Sequence, residues 1–273
     1  MTTTQDWSPV AKAWGAQAED VEAMKEPVTS VLLAGLRPEP GDVVLEVGAG
    51  TGELARQLAA RVAPGGRVFA TDAAPGMVEV MQQRLAGVAG VEVRTCEASA
   101  TGLADGQADG VVARMSLMFS LEPETAVAEA FRVLKPGGRY AAATWAGPFD
   151  NMWMASVGMA AAMNGLMDGG GPMGPGKPFS LSEPKQLLAL LEDAGFTDVE
   201  VTDIPIEIRF ADTDAHFAHV TALAGPMAVA ISEAPEDVRE AVRQSAADNA
   251  ARFADADGLL FPGLARVVTG VRP

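Results

Sequence analysis

LEVGAGTGELA, residues 45–55, is the stretch on which the reading of this chain turns. Valine and leucine crowd residues 43–47 at strand-forming density. From residue 52 to residue 62 the apolar positions recur at helical spacing, so the glycines fall between a strand and a helix. Gly48, Gly50 and Gly52 remove three Cβ atoms from that turn, which permits positive φ angles and lets backbone amides meet a ligand that side chains would exclude. In this context the stretch is expected to be a binding loop.

Its spacing narrows the ligand. A dinucleotide fingerprint places the third glycine three residues after the second, yet that position, counted from Gly50, holds Glu53, and the glycine arrives early at Gly52. Glu46 adds a carboxylate suited to a ligand that carries an ammonium group, not a pyrophosphate, so a nicotinamide oxidoreductase is disfavoured. Twenty residues beyond Gly52, Asp72 stands at the end of the next apolar run, where an acid can accept both hydroxyls of a ribose. Alone it could cap the following helix; beside the glycine loop the ribose role is the expectation.

Outward from the loop, short β-branched runs alternate with helical stretches, the pattern of a parallel sheet covered on both faces. Strands are expected at 43–47, 67–71, 91–95, 110–114, 140–145, 199–205 and 266–270, and helices at 52–62, 75–86, 123–134 and 183–195. In RVLKPGG, 132–138, Pro136 is expected to stop a helix near Lys135 before two glycines turn the chain into the fifth strand. The fold class is therefore α/β, a Rossmann-like, seven-stranded, mostly parallel sheet with helices on both faces and an inserted cap; the last strand is open to antiparallel addition. The expected division is a helical cap segment 1–40, broken around Pro27, a binding core 41–148, a cap insertion 149–181, a core continuation 182–210, a second cap insertion 211–261 and a final core strand 262–273.

Composition bounds the partners. The 273 residues, 48% hydrophobic, suffice for one large core, and 36 acidic residues against 20 Lys plus Arg give a formal charge of −16 spread along the chain. Such a surface repels phosphate backbones and anionic headgroups, so nucleic-acid and membrane partners are disfavoured. Cys96 is the single cysteine, which excludes an internal disulfide and a cysteine-based zinc cluster, and no metal site is expected. The opening residues lack the pattern of a signal peptide and no apolar run approaches a membrane span, so a cytoplasmic protein is expected.

Four ordered blocks carry a resemblance: LEVGAGTGE at 45–53, VFATDAAPGM at 68–77, CEASATGLADGQADGVVARMSLMF at 96–119 and AEAFRVLKPGGRYAAATW at 128–145. Over residues 42–153 the chain resembles the class I S-adenosylmethionine-dependent methyltransferases, in particular the small-molecule group of the ubiquinone/menaquinone C-methyltransferases. The resemblance implies S-adenosylmethionine as cofactor, with Glu46, Gly48, Ala49, Gly50 and Gly52 around its methionine end. It places Asp72 and Ala73 at the ribose, Met77 on the adenine face, Glu97 and Ala98 at the adenine amino group, and the backbone carbonyl of Arg114 on the methionine ammonium. The family often has Gly-Asp-Ala where this chain has Cys96, Glu97 and Ala98.

Methyl transfer from a sulfonium is an in-line displacement, for which a protein chiefly supplies alignment and a water-poor cavity. The implied reaction is methylation of a small, partly apolar molecule, a secondary metabolite or a quinone-like compound; the alternative is a protein of the same fold that binds the cofactor as a non-methylating cyclase or binding module. The expected acceptor pocket draws on Trp7, Trp14, Met118, Phe119, Trp145, Phe149 and Trp153, since open α/β sheets bind ligands beyond the carboxyl ends of their strands. His216 and His219, three apart on an expected helix, share a face, and two readings stand for them: a catalytic base, or ordinary polar contacts in a cap helix. Met159, Met163 and Met167 read as a core stripe, and the Gly/Pro-rich residues 168–179 as a lid or a linker.

Overall fold

The computed structural model describes residues 6–167 and 172–273. The chain opens with helices α1 (Ala11–Ala16) and α2 (Ala18–Leu36) and then alternates: β1 (Val43–Val47), α3 (Glu53–Val62), β2 (Arg67–Asp72), α4 (Pro75–Arg84), β3 (Val91–Thr95), β4 (Ala108–Arg114), α5 (Pro123–Val133), β5 (Leu134–Trp145). Beyond lie α6 (Met152–Met163), α7 (Pro184–Asp193), β6 (Thr197–Phe210), α8 (Thr213–Leu223), α9 (Pro226–Glu233), α10 (Glu236–Ala250), β7 (Ala254–Asp255) and β8 (Gly258–Val271).

The sheet runs β3-β2-β1-β4-β5-β8-β6. Its first five strands pair in parallel, and β8 inserts antiparallel between β5 and β6. The expected α/β class holds, with one strand more than the sequence predicts, the two-residue β7 that hairpins onto the start of β8. In the middle of the sheet Glu46 lies opposite Ala70 on one side and Val112 on the other. Both neighbours are apolar and fully buried.

The local rules explain most element boundaries. On α3 the side chains of Leu54, Ala55, Leu58, Ala59 and Val62 are buried, a helical stripe that meets β1, β2 and β3. Leu54 and Leu58 are fully covered, each stabilising the fold by about 1.5–3 kcal/mol. The helix before RVLKPGG ends at Val133, earlier than expected, because Leu134 is already extended and entirely buried as the first residue of β5. Pro136 follows inside that strand, and Gly137 and Gly138 exchange backbone hydrogen bonds with Arg272.

Two prolines overturn sequence expectations. The helical segment does not break at Pro27; the break falls at Gln17, and α2 runs through the proline. A proline inside a helix costs about 3 kcal/mol. The apolar stripe of α2, with Val28, Leu32 and Leu36 packed on β4, β5, β6 and β8, outweighs that cost. Strand β6 likewise continues past Pro205 to Phe210, with Ile204, Ile206, Ile208 and Phe210 buried in alternation. As β6 is the sheet's edge, Pro205 needs no ladder donor on its outer side.

Helices α6, α8, α9 and α10 pack on one another, and α1 bridges α4 and α8, so these elements form a roof beside the sheet. Among the described residues no single helix is long and apolar enough to cross a membrane; only α8 and α9 counted together, across a bend of 114°, pass by length and composition.

Candidate functional site

The strand order reverses direction between β1 and β4, and beyond their carboxyl ends a cavity of about 750 Å³ opens. That is where a doubly wound sheet holds a ligand, and the volume suits a molecule of drug size or larger. Its floor is the loop after β1 with Glu46, Asp72, Cys96, Ala98 and Arg114. Its roof comes from α1, α2, α6, α8, α9 and residues 172–179.

The three loop glycines have positive φ for three different reasons. A Cβ on Gly48 (φ 67°) would come within 2.3 Å of the Ser116 Cβ, and Ser116 is held there by donating its hydroxyl to the Val47 carbonyl across 2.7 Å. On Gly52 (φ 91°) it would meet Leu85 and Met81, so this glycine serves the packing of α3, and it does not line the cavity. Only Gly50 (φ 58°) faces open space. The close approach expected of all three belongs, toward the cavity, to Gly50 alone.

Asp72 locks this loop. Its Oδ2 accepts the Gly50 amide and its Oδ1 the Ala74 amide, each at 2.9 Å. Burial raises its pKa, a rise that the amides of Ala74, Gly50 and Ala73 oppose. The neighbouring Ala73, the buried Met77 and Ala98 also line the wall; Glu97 stands between Cys96 and Ala98 without reaching it.

Below the loop lies a charged cluster. Glu46 is 1% exposed and its Oε2 has no hydrogen-bond partner among the described residues. Burial pushes its carboxyl up to about 8, against the pull of the Arg114 and Lys25 cations. Lys25, from α2, is pushed down to about 7 by burial and by Arg114; its Nζ lies 3.8 Å from Glu22 and 5.2 Å above the Trp14 ring. The Arg114 guanidinium makes a paired contact with Glu22 at 2.8 and 2.5 Å and donates to the Thr29 hydroxyl at 2.7 Å, tying β4 to α2. Met115 follows in the left-handed region (φ 57°), which for a non-glycine costs about 1–3 kcal/mol. Lys25, Glu22, Met115 and Ser116 line the cavity and went unflagged in the sequence, where an i,i+3 Glu/Lys pair reads as a solvated helix face.

The expected acceptor residues divide. Trp7, Trp14, Phe119, Trp145 and Trp153 line the cavity, which thus gathers all four tryptophans of the chain. Met118 is instead sealed in the core, and Phe149 is 83% exposed; neither lines the cavity. The methionine stripe holds as core only at Met167, which packs against the core and also lines the cavity; Met159 reaches the cavity and Met163 is 76% exposed. Of the Gly/Pro-rich segment, 168–171 lie outside the described residues, while Pro172, Lys177, Pro178 and Phe179 close one side of the cavity.

The two histidines also part ways. His216 is fully buried, and its Nε2 donates to the Trp153 carbonyl, which leaves Nδ1 carrying the lone pair with no partner. His219 lines the cavity, its ring 6.5 Å from Trp153 and 5.4 Å from Phe210. Burial lowers the pKa of both.

Comparison with known proteins shows what the chain beneath this cavity resembles. Residues 45–142 match the family model described as a methyltransferase domain. The chain is 34% identical over 142 residues to the malonyl-[acyl-carrier protein] O-methyltransferase of Methylococcus capsulatus, which covers 50% of this chain and 51% of that protein. It is 35% identical over 113 residues to the demethylmenaquinone methyltransferase of Symbiobacterium thermophilum, covering 40% and 45%. The matched part spans 32% to 51% of the curated relatives' length. Among solved structures the [4+2]-cyclase SpnF superposes with a TM-score of 0.58 at 18% identity, covering 100% of this chain and 98% of that one, a likeness of fold. Over residues 45–142 the chain is thus similar to the methyltransferase-domain family, and its Rossmann-like α/β fold is the one it shares with these solved structures.

Proposed function

We propose that this protein transfers a methyl group from S-adenosylmethionine to a small, partly apolar acceptor held in the same cavity. One observation carries the reading: a single cavity joins a charged floor at the Gly48–Gly50 turn to a roof of tryptophan and methionine. The floor fits the cofactor, because the buried Glu46 Oε2 lacks a donor and the Lys25 ammonium makes no hydrogen bond among the described residues. Glu46 would take the ammonium of an amino-acid end and Lys25 its carboxylate. Asp72, with Ala73, would hold the ribose; Met77, Glu97 and Ala98 would border the adenine; the Arg114 carbonyl would face the amino-acid end. When bound, the cofactor supplies an electrophilic methyl group on a sulfonium.

The roof excludes water and fixes the acceptor's approach, which for an in-line displacement is most of what a protein contributes. A quinone-like acceptor is supported by the names of the demethylmenaquinone and ubiquinone/menaquinone methyltransferases and by the aromatic lining, a secondary metabolite by the lining alone. The likeness in fold to a cyclase favours a second reading, in which the cofactor is bound and no methyl is transferred. Calorimetric titration with S-adenosylmethionine, repeated on Asp72→Ala, tests the cofactor assignment: affinity should fall at least about tenfold, the worth of one charge-assisted hydrogen bond, and equal affinities would refute it. Formation of S-adenosylhomocysteine with an acceptor separates transfer from the second reading.

A further inference from the structure

His219 stands where an acceptor would lie. Among the described residues, the roof elements after β5 bring only two ionisable side chains to the cavity, Lys177 and His219. The imidazole of His219 makes no hydrogen bond there. The other histidine is unavailable, since His216 is sealed and has spent its Nε2 on the Trp153 carbonyl. Trp153 itself lines the cavity beside His219, while its Nε1 is sealed from solvent with no acceptor among the described residues, so on this otherwise apolar wall the hydrogen bonding falls to His219.

We propose that the acceptor is a planar arene bearing a hydroxyl group, and that His219 is the catalytic residue that takes the hydroxyl proton while the oxygen receives the methyl group. This rests on the methyltransferase reading above. In the step the O–H bond breaks and its proton passes to the imidazole lone pair. The oxygen's electron pair forms the O–C bond, and the carbon–sulfur bond of S-adenosylmethionine breaks with its electrons left on sulfur. Burial keeps the His219 imidazole neutral at pH 7, with Asp20 of α2 the charged group that opposes this and His216 the titratable neighbour on α8. Helix α6, which packs against α8, carries no ionisable side chain. Aromatic rings frame the walls, Trp145 and Trp153 edge to face with centroids 5.4 Å apart and Trp7 and Phe119 likewise at 4.7 Å, surfaces against which an arene packs well.

The test compares the intact protein with His219→Gln, each saturated with S-adenosylhomocysteine, by equilibrium dialysis of 2-naphthol and naphthalene. S-adenosylhomocysteine should bind both proteins alike, which also shows that the variant is folded. The intact protein should hold naphthol about fivefold tighter than naphthalene, the worth of one hydrogen bond, and His219→Gln should lose that difference. In turnover with S-adenosylmethionine, kcat on 2-naphthol should fall about 100- to 1,000-fold in the variant, with KM within a few-fold. The loss should shrink to under about tenfold on a nitro-substituted 2-naphthol already ionised at pH 8, which needs no base. Naphthol held no better than naphthalene, equal losses on both acceptors, or methylation of 2-naphthoate in place of naphthol, the result an anion site at Lys177 would give, overturns the proposal while leaving the cofactor site standing. No binding of S-adenosylhomocysteine to the intact protein would strike the methyltransferase reading itself.

Discussion

The amide of Gly50 donates to the Oδ2 of Asp72 across 2.9 Å, so the turn after β1 is tied to the end of β2 by a side chain that also faces the cavity. Asp72 holds the Ala74 amide through its other oxygen. Both oxygens must therefore accept. In Asp72→Asn an amide group would point donor against donor at one of these two positions, leaving a backbone N–H unpaired at a cost of about 1–3 kcal/mol. We expect the midpoint of thermal unfolding to fall by several degrees despite the near-identical shape. An unchanged midpoint would mean that the tie contributes nothing.

The three glycines should separate stability from binding. Gly48→Ala drives a Cβ into the Ser116 Cβ, which is fixed to the backbone and cannot move aside, so this variant should be the least stable. Gly52→Ala meets the movable ends of Leu85 and Met81 and should rank between. Gly50→Ala meets nothing and should lose only the left-handed strain, about 1–2 kcal/mol. Its new methyl group would stand in the cavity, and S-adenosylmethionine affinity should suffer most relative to the stability lost. Thermal unfolding and calorimetry on the three variants check the order; a Gly48→Ala protein as stable as Gly50→Ala contradicts it.

How much of this the sequence discloses depends on how local the cause is. The strands at Val43–Val47 and Val91–Thr95 are readable to the residue, because a β-branched run bounded by turn formers is a local signal. Pro27 and Pro205 mislead for the opposite reason: what tolerates them is the sheet beneath α2 and the free edge beside β6. Gly48 is legible as a glycine that must bend, but its need is Ser116, far along the chain. Lys25 is invisible, since EAMK reads as a solvated turn of helix until Trp14 and the roof close over it. Met118 and Phe149 were placed by their nearness to strand ends. The period of a few residues that decides whether each points inward, outward or into a cavity is set by short turns after β4 and β5, which no propensity scale resolves.

Glu46 predicts a pH dependence with a definite sign. Its carboxyl titrates near 4.5 when unfolded and at about 8 when folded, so the folded state binds more protons between these values. Stability from this group is present below pH 4.5 and lost as pH rises to 8. Lys25 acts in the other sense and in another window: unfolded at 10.5 and folded at about 7, it makes the protein more stable as pH rises from 7 to 10.5. Below pH 7 Glu46 acts beside Asp72, whose raised carboxyl has the same sign, and beside His216 and His219, whose lowered imidazoles have the opposite sign, so the comparison of the two proteins isolates its share. Glu46→Gln should therefore flatten the fall in unfolding midpoint between about pH 5 and 7 and at the same time weaken S-adenosylmethionine binding. Midpoints that fall in parallel in the two proteins would remove Glu46 as the cause.

Arg114 and Glu22 offer the sharpest test of how the site is supported. The Arg114 guanidinium is 5% exposed, and Glu22 of α2, at 19%, is its bidentate partner. Removing one member of a buried pair costs about 3–5 kcal/mol, mostly because the other charge is stranded. Since Glu22 keeps some contact with solvent and with Lys25, the lower end applies, and Arg114→Met should lower the midpoint of unfolding by about 6–12 °C. Replacing both, Glu22→Met with Arg114→Met, removes the stranded charge and should recover most of that loss. If the pair matters chiefly by holding α2 over the cavity, the double variant will regain stability yet keep a weakened hold on S-adenosylmethionine, because Lys25 then loses the carboxylate that positions it. Recovery of both stability and affinity would reduce the pair to packing; recovery of neither would show that the contact fixes the end of β4 in a way that apolar side chains cannot replace.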